Sequence, residues 1–342
     1  MGMQQHDPQR YDQAWTKLNL YLNEIAQGDL GKALHALHVQ QLEQGFIRDD
    51  LSGLQRYRFE HPQNKDRFFT VQYNPARARR FAGSGRTAPP PGAVIVHDGC
   101  FLCFENIQWQ QNGVEIGFDL QLSGRNYIAW MNPYPLLPHH AVIASREHVA
   151  QSWRHADGTG TGKSLSIMIH DLVDLARQLP GWIGFYNGPG AGASIPHHFH
   201  YQFLRRPAGY GAFPLEQAAV RKKVGQSADY PVEFAHWHGD ADSVHRTAER
   251  WIEHWIDAHE SKVKNLSANL IAIADNDALI DVYFVPRDQA RSRSEEMTGL
   301  IGGLEVLGEL VFSSEDEKTR LDTGIIDYAT VERILGSISV DL

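Results

Sequence analysis

The stretch Ser194-Ile-Pro-His-His-Phe-His-Tyr-Gln202 decides how this chain is expected to fold and where its chemistry lies. In an extended strand, successive side chains point to opposite faces of a sheet. The polar positions would then share one face: His198, His200 and Gln202. The aromatic positions would share the other: Phe199, Tyr201 and Phe203. The stretch therefore predicts a strand that packs one face into a core and presents the other to phosphate or metal.

The approach to this strand is rich in glycine. Gly188-Pro-Gly190-Ala-Gly192-Ala-Ser194 places three glycines at alternate positions, with Asn187 just before them. Glycine lets backbone N–H groups come close to an anion, and Ser194 adds a hydroxyl. An ordinary turn between strands would also use such residues. Next to a His-x-His-x-Gln pattern, however, the loop indicates an enzyme that attacks a phosphorus atom.

A second stretch completes a resemblance to a known superfamily. Asn132-Pro-Tyr-Pro-Leu-Leu-Pro-His-His140 is followed by Ala-Val-Ile-Ala-Ser-Arg-Glu-His148-Val. Together with the histidine strand, it resembles the histidine-triad superfamily over about residues 100–206. His-x-His-x-Gln is typical of the branch with galactose-1-phosphate uridylyltransferase, the diadenosine tetraphosphate phosphorylases and the GDP-hexose phosphorylases. The whole chain is most similar to uncharacterised bacterial relatives of the last group.

The resemblance implies roles for individual residues. His200 matches the nucleophile, and Ser194 matches a phosphate-binding serine. Gln202 stands where the hydrolase branches carry histidine, and an amide offers fixed hydrogen bonds without a transferable proton. It therefore favours transfer over hydrolysis. Further candidates for substrate binding are Asn187, Gly190, Gly192, Asn132 and Arg79.

The basic segment that contains Arg79 is open to two interpretations. Arg77, Arg79 and Arg80 follow Tyr73-Asn-Pro75 closely in the sequence. They are candidates for binding a second phosphate group. A solvated basic segment would show the same composition.

The expected function is that of a nucleotidyltransferase or phosphorylase. Neutral His200 would attack the α-phosphorus of a nucleotide sugar or dinucleoside polyphosphate, and the covalent nucleotidyl-histidine would pass its nucleotide to a phosphate-bearing acceptor. Three alternatives stay open: a nucleotide hydrolase, a non-catalytic nucleotide-binding protein, and a zinc hydrolase with His198 and His200 as ligands.

The two cysteines of the chain lie together in Cys100-Phe-Leu-Cys103. Taken alone, the pair is a metal half-site, a redox pair or a coincidence, with Cys103 as a small buried hydrophobe. The resemblance implies a zinc site completed by His148 and His198. Four protein ligands leave no open position for a catalytic water, so this zinc would be structural. Whether His236-Trp-His238 binds a second metal is left open.

Composition limits the class of protein. The formal net charge of −9 argues against a nucleic-acid-binding surface, which needs clustered basic residues. No stretch approaches about 18 uninterrupted apolar residues, and the first residues lack the apolar core of a signal peptide. We therefore expect a cytoplasmic protein that binds no membrane and exists as a monomer or homodimer.

The pattern along the chain predicts an α+β fold with an antiparallel sheet. Residues 1 to about 60 are expected to be helical, and 1–92 would form an N-terminal extension that ends in a proline-rich connector, 84–92. Residues 93–206 would form the catalytic, histidine-triad-like half. Residues 207–342, with a tryptophan-bearing helix and a hairpin, would form a degenerate second half-unit.

Overall fold

In the computed structural model, the described residues are 8–81, 95–109, 116–153, 162–221, 229–259, 265–275 and 279–342. The predicted proline-rich connector, 84–92, lies outside them. Among the described residues, no helix combines the length and the apolarity that crossing a membrane requires.

The chain folds into nine helices and eleven strands within the described ranges. The helices are α1 (Pro8–Ala26), α2 (Leu30–Glu43), α3 (Phe104–Ile107), α4 (Gly162–Gln178), α5 (Pro214–Arg221), α6 (Ala241–His259), α7 (Gly303–Val306), α8 (Glu315–Asp322) and α9 (Tyr328–Gly336). The strands are β1 (Gln55–His61), β2 (Asn64–Tyr73), β3 (Phe118–Gln121), β4 (Asn126–Met131), β5 (Ala141–Ser145), β6 (Trp182–Asn187), β7 (His200–Arg205), β8 (Ala235–Gly239), β9 (Leu266–Ala274), β10 (Ile280–Asp288) and β11 (Glu309–Phe312).

Eight strands form one antiparallel sheet in the order β3-β4-β5-β7-β6-β9-β10-β8. Helices α1, α2, α4 and α6 cover one face of this sheet. Apolar residues on one side of α4, including Leu165, Met168 and Leu172, are buried there, as is Trp255 of α6. Phe199, Tyr201 and Phe203 are completely buried in the same core, which confirms the predicted aromatic face of the histidine strand.

The other face of the large sheet is covered by a small sheet and by the remaining C-terminal helices. The small sheet has the order β1-β2-β11, with β11 parallel to β2. The prediction of helix up to about residue 60 is wrong beyond Glu43, because β1 occupies 55–61. In β1, charged residues alternate with the partly buried Tyr57 and Phe59, a pattern that is typical of a half-buried strand.

Two similar units meet at the centre of the large sheet. Helix α4 leads into β6 and β7, while α6 leads into β9 and β10, and β6 pairs with β9. On the face that carries Gln202 in β7, strand β10 carries Asp281, Tyr283, Val285 and Arg287. None of these four is histidine, so β10 lacks the His-x-Gln pattern of β7.

Candidate functional site

The imidazole of His200 is held in one tautomer. Its Nδ1 lies 2.9 Å from the backbone oxygen of His198, which can only accept, so Nδ1 carries the proton. Nε2 then carries the lone pair that a nucleophile needs. His200 begins β7 and is 5% exposed. The carbonyl that sets the tautomer, which sequence alone does not reveal, therefore belongs to His198.

A buried glutamine ties His200 to the neighbouring strand. Gln151 Oε1 accepts a hydrogen bond from His200 N at 2.7 Å, and its Nε2 donates to His200 O and Asn187 O, each at 2.9 Å. The Tyr186 hydroxyl in turn donates to Gln151 O at 2.9 Å. Since β6 and β7 pair only as far as Phe185 and Gln202, Gln151 continues their connection towards the glycine loop. Sequence reasoning missed this residue.

The amide of Gln202 is oriented by His140. Leu136 N donates to His140 Nδ1 at 3.1 Å, so the proton of this ring is on Nε2, which donates to Gln202 Oε1 at 2.8 Å. The amide oxygen of Gln202 is thereby engaged inside the protein. Its NH₂ group is left as a donor, and Gln202 lines a cavity on the His200 side of the sheet.

This cavity has a volume of about 40 Å³. Because one water needs about 10–15 Å³, there is room for a group the size of a phosphate. Polar side chains in its lining include Arg77, Asn187, Gln202 and Glu305, and the backbone of Gly192 and Gly302 contributes as well. The lining thus combines β6 and β7 with a C-terminal segment.

The glycine loop is pressed against the second half-unit. Gly190 has φ +68° and Gly192 has φ +97°, conformations that favour glycine. A Cβ on Gly190 would collide with Gln289, and one on Gly192 would collide with the Cα of Gly302. Close packing of two backbones therefore accounts for these glycines, in addition to any approach to an anion.

The other predicted substrate-binding residues lie in different settings. Ser194 is exposed on the turn before β7. Asn132 accepts a hydrogen bond from Tyr134 N at 2.9 Å and so stabilises its own turn. Arg79 is exposed, whereas Arg77 is buried, lines the cavity and donates to Tyr134 O at 2.6 Å. Of Arg77 and Arg79, Arg77 is thus the one that lines the cavity.

The four predicted metal ligands come together. The ligand atoms of Cys100, Cys103, His148 and His198 all lie within 4.8 Å of one another. His198 Nδ1 is 3.4 Å from Cys100 Sγ and 3.5 Å from Cys103 Sγ, and His148 Nδ1 is 3.1 Å from Cys103 Sγ. Sulfur and nitrogen ligands of a tetrahedral zinc are about 3.5 Å apart, given the usual bond lengths. The residues present therefore fit a zinc ion.

The surroundings of these ligands also suit a metal. His198 Nε2 donates to Ser145 O at 2.7 Å, which leaves Nδ1 as the ligand atom, and such a second contact is usual for metal-bound histidine. A hydrogen bond from Cys103 and the neighbouring His198 lower the pKa of the Cys100 thiol. This favours the thiolate, the form that binds metal.

The second histidine pair lies on the edge strand β8. His236 Nε2 and His238 Nδ1 are 2.6 and 3.1 Å from the same oxygen of Asp281. Burial raises the pKa of Asp281, but the two histidines outweigh burial and lower it. Within the described part of the chain, the Cys100 cluster is the group compact enough to hold a metal, and the His236 group is not.

The chain was compared with known proteins. A family model described as a domain of unknown function (DUF4922) matches residues 37–205. No curated protein matches the chain. Solved structures of yeast Ap4A phosphorylase Apa2 are similar at 17% identity. The complex with Ap4A has a TM-score of 0.57 and the complex with AMP 0.54, each covering 90% of this chain and 95% of that one. For Apa2 alone the TM-score is 0.56, with 91% and 97% covered.

At this identity the likeness shows the fold. The predicted α+β fold is confirmed, and the likeness covers 90–91% of this chain. The narrower similarity to the GDP-hexose phosphorylases stays a prediction.

Proposed function

We propose that this protein transfers a nucleotidyl group through His200, as a phosphorylase or transferase acting on a dinucleoside polyphosphate or a nucleotide sugar. The observation that carries the proposal is the tautomer of His200. Donation from Nδ1 to His198 O leaves the lone pair on Nε2, and Gln202, two residues further along the same strand, lines a cavity of phosphate size. The similarity in fold to Ap4A phosphorylases supports the dinucleoside polyphosphate as the first substrate to test.

In the first step, His200 Nε2 forms a bond to the α-phosphorus, and the P–O bond to the leaving phosphate group breaks. The proton on Nδ1 stays in its hydrogen bond to His198 O. In the second step, an oxygen of a phosphate-bearing acceptor attacks the same phosphorus, and the P–N bond breaks. The imidazole is then restored, and no redox change occurs in either step.

Donors around the cavity would stabilise the charge on the phosphoryl oxygens. Gln202 has its oxygen engaged by His140, so it offers NH₂ protons. Arg77 adds a positive charge to the lining. Charge stabilisation by such fixed donors is a major source of catalysis at phosphorus. Since the Gln202 amide cannot transfer a proton, phosphate leaving groups, which need none, fit this site best.

We propose that Cys100, Cys103, His148 and His198 hold a structural zinc ion, whose contribution is to fix the backbone before β7. That backbone includes the carbonyl of His198, which orients His200. With four protein ligands, the ion takes no part in the chemical steps.

Intact-protein mass spectrometry tests the proposal. The protein is incubated without acceptor with Ap4A and with ADP-, GDP- and UDP-sugars. We expect a gain of one nucleotidyl mass, absent in His200→Ala and discharged by inorganic phosphate or a sugar phosphate. His254→Ala, which removes an exposed histidine of α6, is the matched control and should form the adduct normally. Release of free mononucleotide without an adduct would instead indicate a hydrolase.

A further inference from the structure

Two asparagines face each other at the junction of the half-units. Asn187 of β6 lies opposite Asn269 of β9 in the sheet register. Asn269 Nδ2 donates to Asn187 Oδ1 at 2.8 Å and to Ala191 O at 2.7 Å. An amide pair can in principle be arranged with either residue as the donor. What surrounds the pair therefore decides which group of Asn187 faces the cavity.

Arg287 stands behind Asn269 and favours one arrangement. Its Nη1 donates to Asn269 Oδ1 at 2.7 Å and to Ile301 O at 2.9 Å. The guanidinium is completely buried, and the nearby carboxylate of Glu305, which also lines the cavity, favours its charged form. Burial lowers the pKa of Arg287 to about 10, so the side chain is still charged at neutral pH. Because Arg287 can only donate, it holds the oxygen of Asn269 towards itself and the NH₂ towards Asn187.

The orientation of the Asn269 amide favours one orientation of the Asn187 amide. Asn187 Oδ1 accepts from Asn269 and also from Gly303 N at 2.9 Å. Its oxygen is thus engaged on the side of the second half-unit. The remaining group, the Nδ2 donor, lies near Gly302, and both residues line the cavity.

We infer that Arg287 and Asn269 are positioning residues that make Asn187 a hydrogen-bond donor to a phosphate group of the substrate. The inference rests on the proposed function and extends it. The second half-unit, which has no histidine strand, sets the polarity of the phosphate site of the first. In the reverse arrangement, the amide oxygen of Asn187 would face the phosphate oxygens and repel them.

The informative variant is Asn269→Asp. A carboxylate of nearly the same shape keeps its contact with Arg287, now as an ion pair, but can donate neither to Asn187 Oδ1 nor to Ala191 O. Asn187 can then donate to Asp only by turning its NH₂ towards it and its oxygen towards the cavity, at the cost of the hydrogen bond from Gly303 N. Binding is measured calorimetrically with AMP, GMP and UMP and with the corresponding nucleosides. We expect affinity for the best-bound nucleotide to fall about tenfold or more, with the nucleoside unaffected, because one hydrogen bond to a charged group is lost.

A double-mutant cycle separates positioning from structure. In an Asn187→Ala background, Asn269→Asp should change nucleotide affinity little, because the amide through which it acts is gone. Arg287→Lys, which keeps a buried donor, should bind nucleotide more tightly than Arg287→Met. Additive effects in the cycle, or equal losses of affinity for nucleotide and nucleoside, would refute the positioning role but would leave the proposed function standing. If the unmodified protein bound no nucleotide better than its nucleoside, the proposed function and this role would both be refuted.

Discussion

Replacing Gln151 by alanine tests how His200, the proposed nucleophile, is held. The side chain is completely buried and satisfies three backbone groups: the N–H of His200, the carbonyl of His200 and the carbonyl of Asn187. Gln151→Ala leaves all three without a partner. They lie where β6 and β7 diverge, so no neighbouring strand replaces the lost contacts.

The expected loss of stability follows from the number of backbone groups that lose a hydrogen bond. A buried backbone group that loses its partner costs about 1–3 kcal/mol. Some water would enter beside His200, so we expect a loss of roughly 3–6 kcal/mol from the free energy of unfolding. For a chain of 342 residues, this corresponds to a fall in Tm of about 4–8 °C. This loss is a large part of the total stability of a folded protein, which is roughly 5–15 kcal/mol.

Urea denaturation and the rate of adduct formation at His200 are the two measurements. Gln217→Ala is the control, since that glutamine makes one exposed hydrogen bond, to Ala212 O, and should cost less than about 0.5 kcal/mol. Gln151→Glu should also slow adduct formation, because its second oxygen would face two carbonyl oxygens in place of an NH₂ donor. A loss below about 1 kcal/mol in Gln151→Ala, with an unchanged rate, would refute the reasoning.

Three further outcomes are expected. The protein should bind one zinc per chain, and Cys103→Ser should abolish this binding. Zinc at about a thousand times its Kd should add about 4 kcal/mol to the free energy of unfolding. Thermal melting with and without chelator measures this difference. Burial and the neighbouring histidines lower the pKa of His139 to about 4. The unfolded chain therefore binds this proton more readily, so stability should fall between pH 6.5 and 4 by roughly 1–2 kcal/mol after screening, and His139→Asn should flatten that slope. Finally, Arg77→Met should weaken AMP binding about tenfold or more, whereas Arg79→Met should change it less than about twofold, by calorimetry.

Local patterns predicted the elements that follow a simple period. Alternation in Phe199-His-Tyr-Gln-Phe203 was enough to assign the two faces of β7, because side chains of a strand alternate whatever the surrounding fold. The four predicted metal ligands are a different case. Its members are separated by 45 and 50 residues, so spacing alone does not join them, and the resemblance to a family was needed. The structure then places the ligand atoms within reach of one ion.

Contacts across long separations were beyond local patterns. Gln151 lies 49 residues before His200, in a segment without periodicity, and its role depends on a gap between two strands. The choice between Arg77 and Arg79 depends on which side of a short 3₁₀ turn faces the cavity. Strand β11 joins β2 from the far end of the chain, and no local pattern reveals that pairing.

The second half-unit is bound to the site by packing as well as by hydrogen bonds. Gly192 has no room for a side chain because the Cα of Gly302 lies against it, and Gly190 is confined in the same way by Gln289. Separating or sliding the two halves would therefore displace the loop that precedes β7. Strand β10 carries no histidine, yet its residues and their neighbours are confined by contacts with the loop and the cavity. Arg287, Asn269 and the segment 299–305 should therefore tolerate substitution far less than their distance from His200 in sequence suggests.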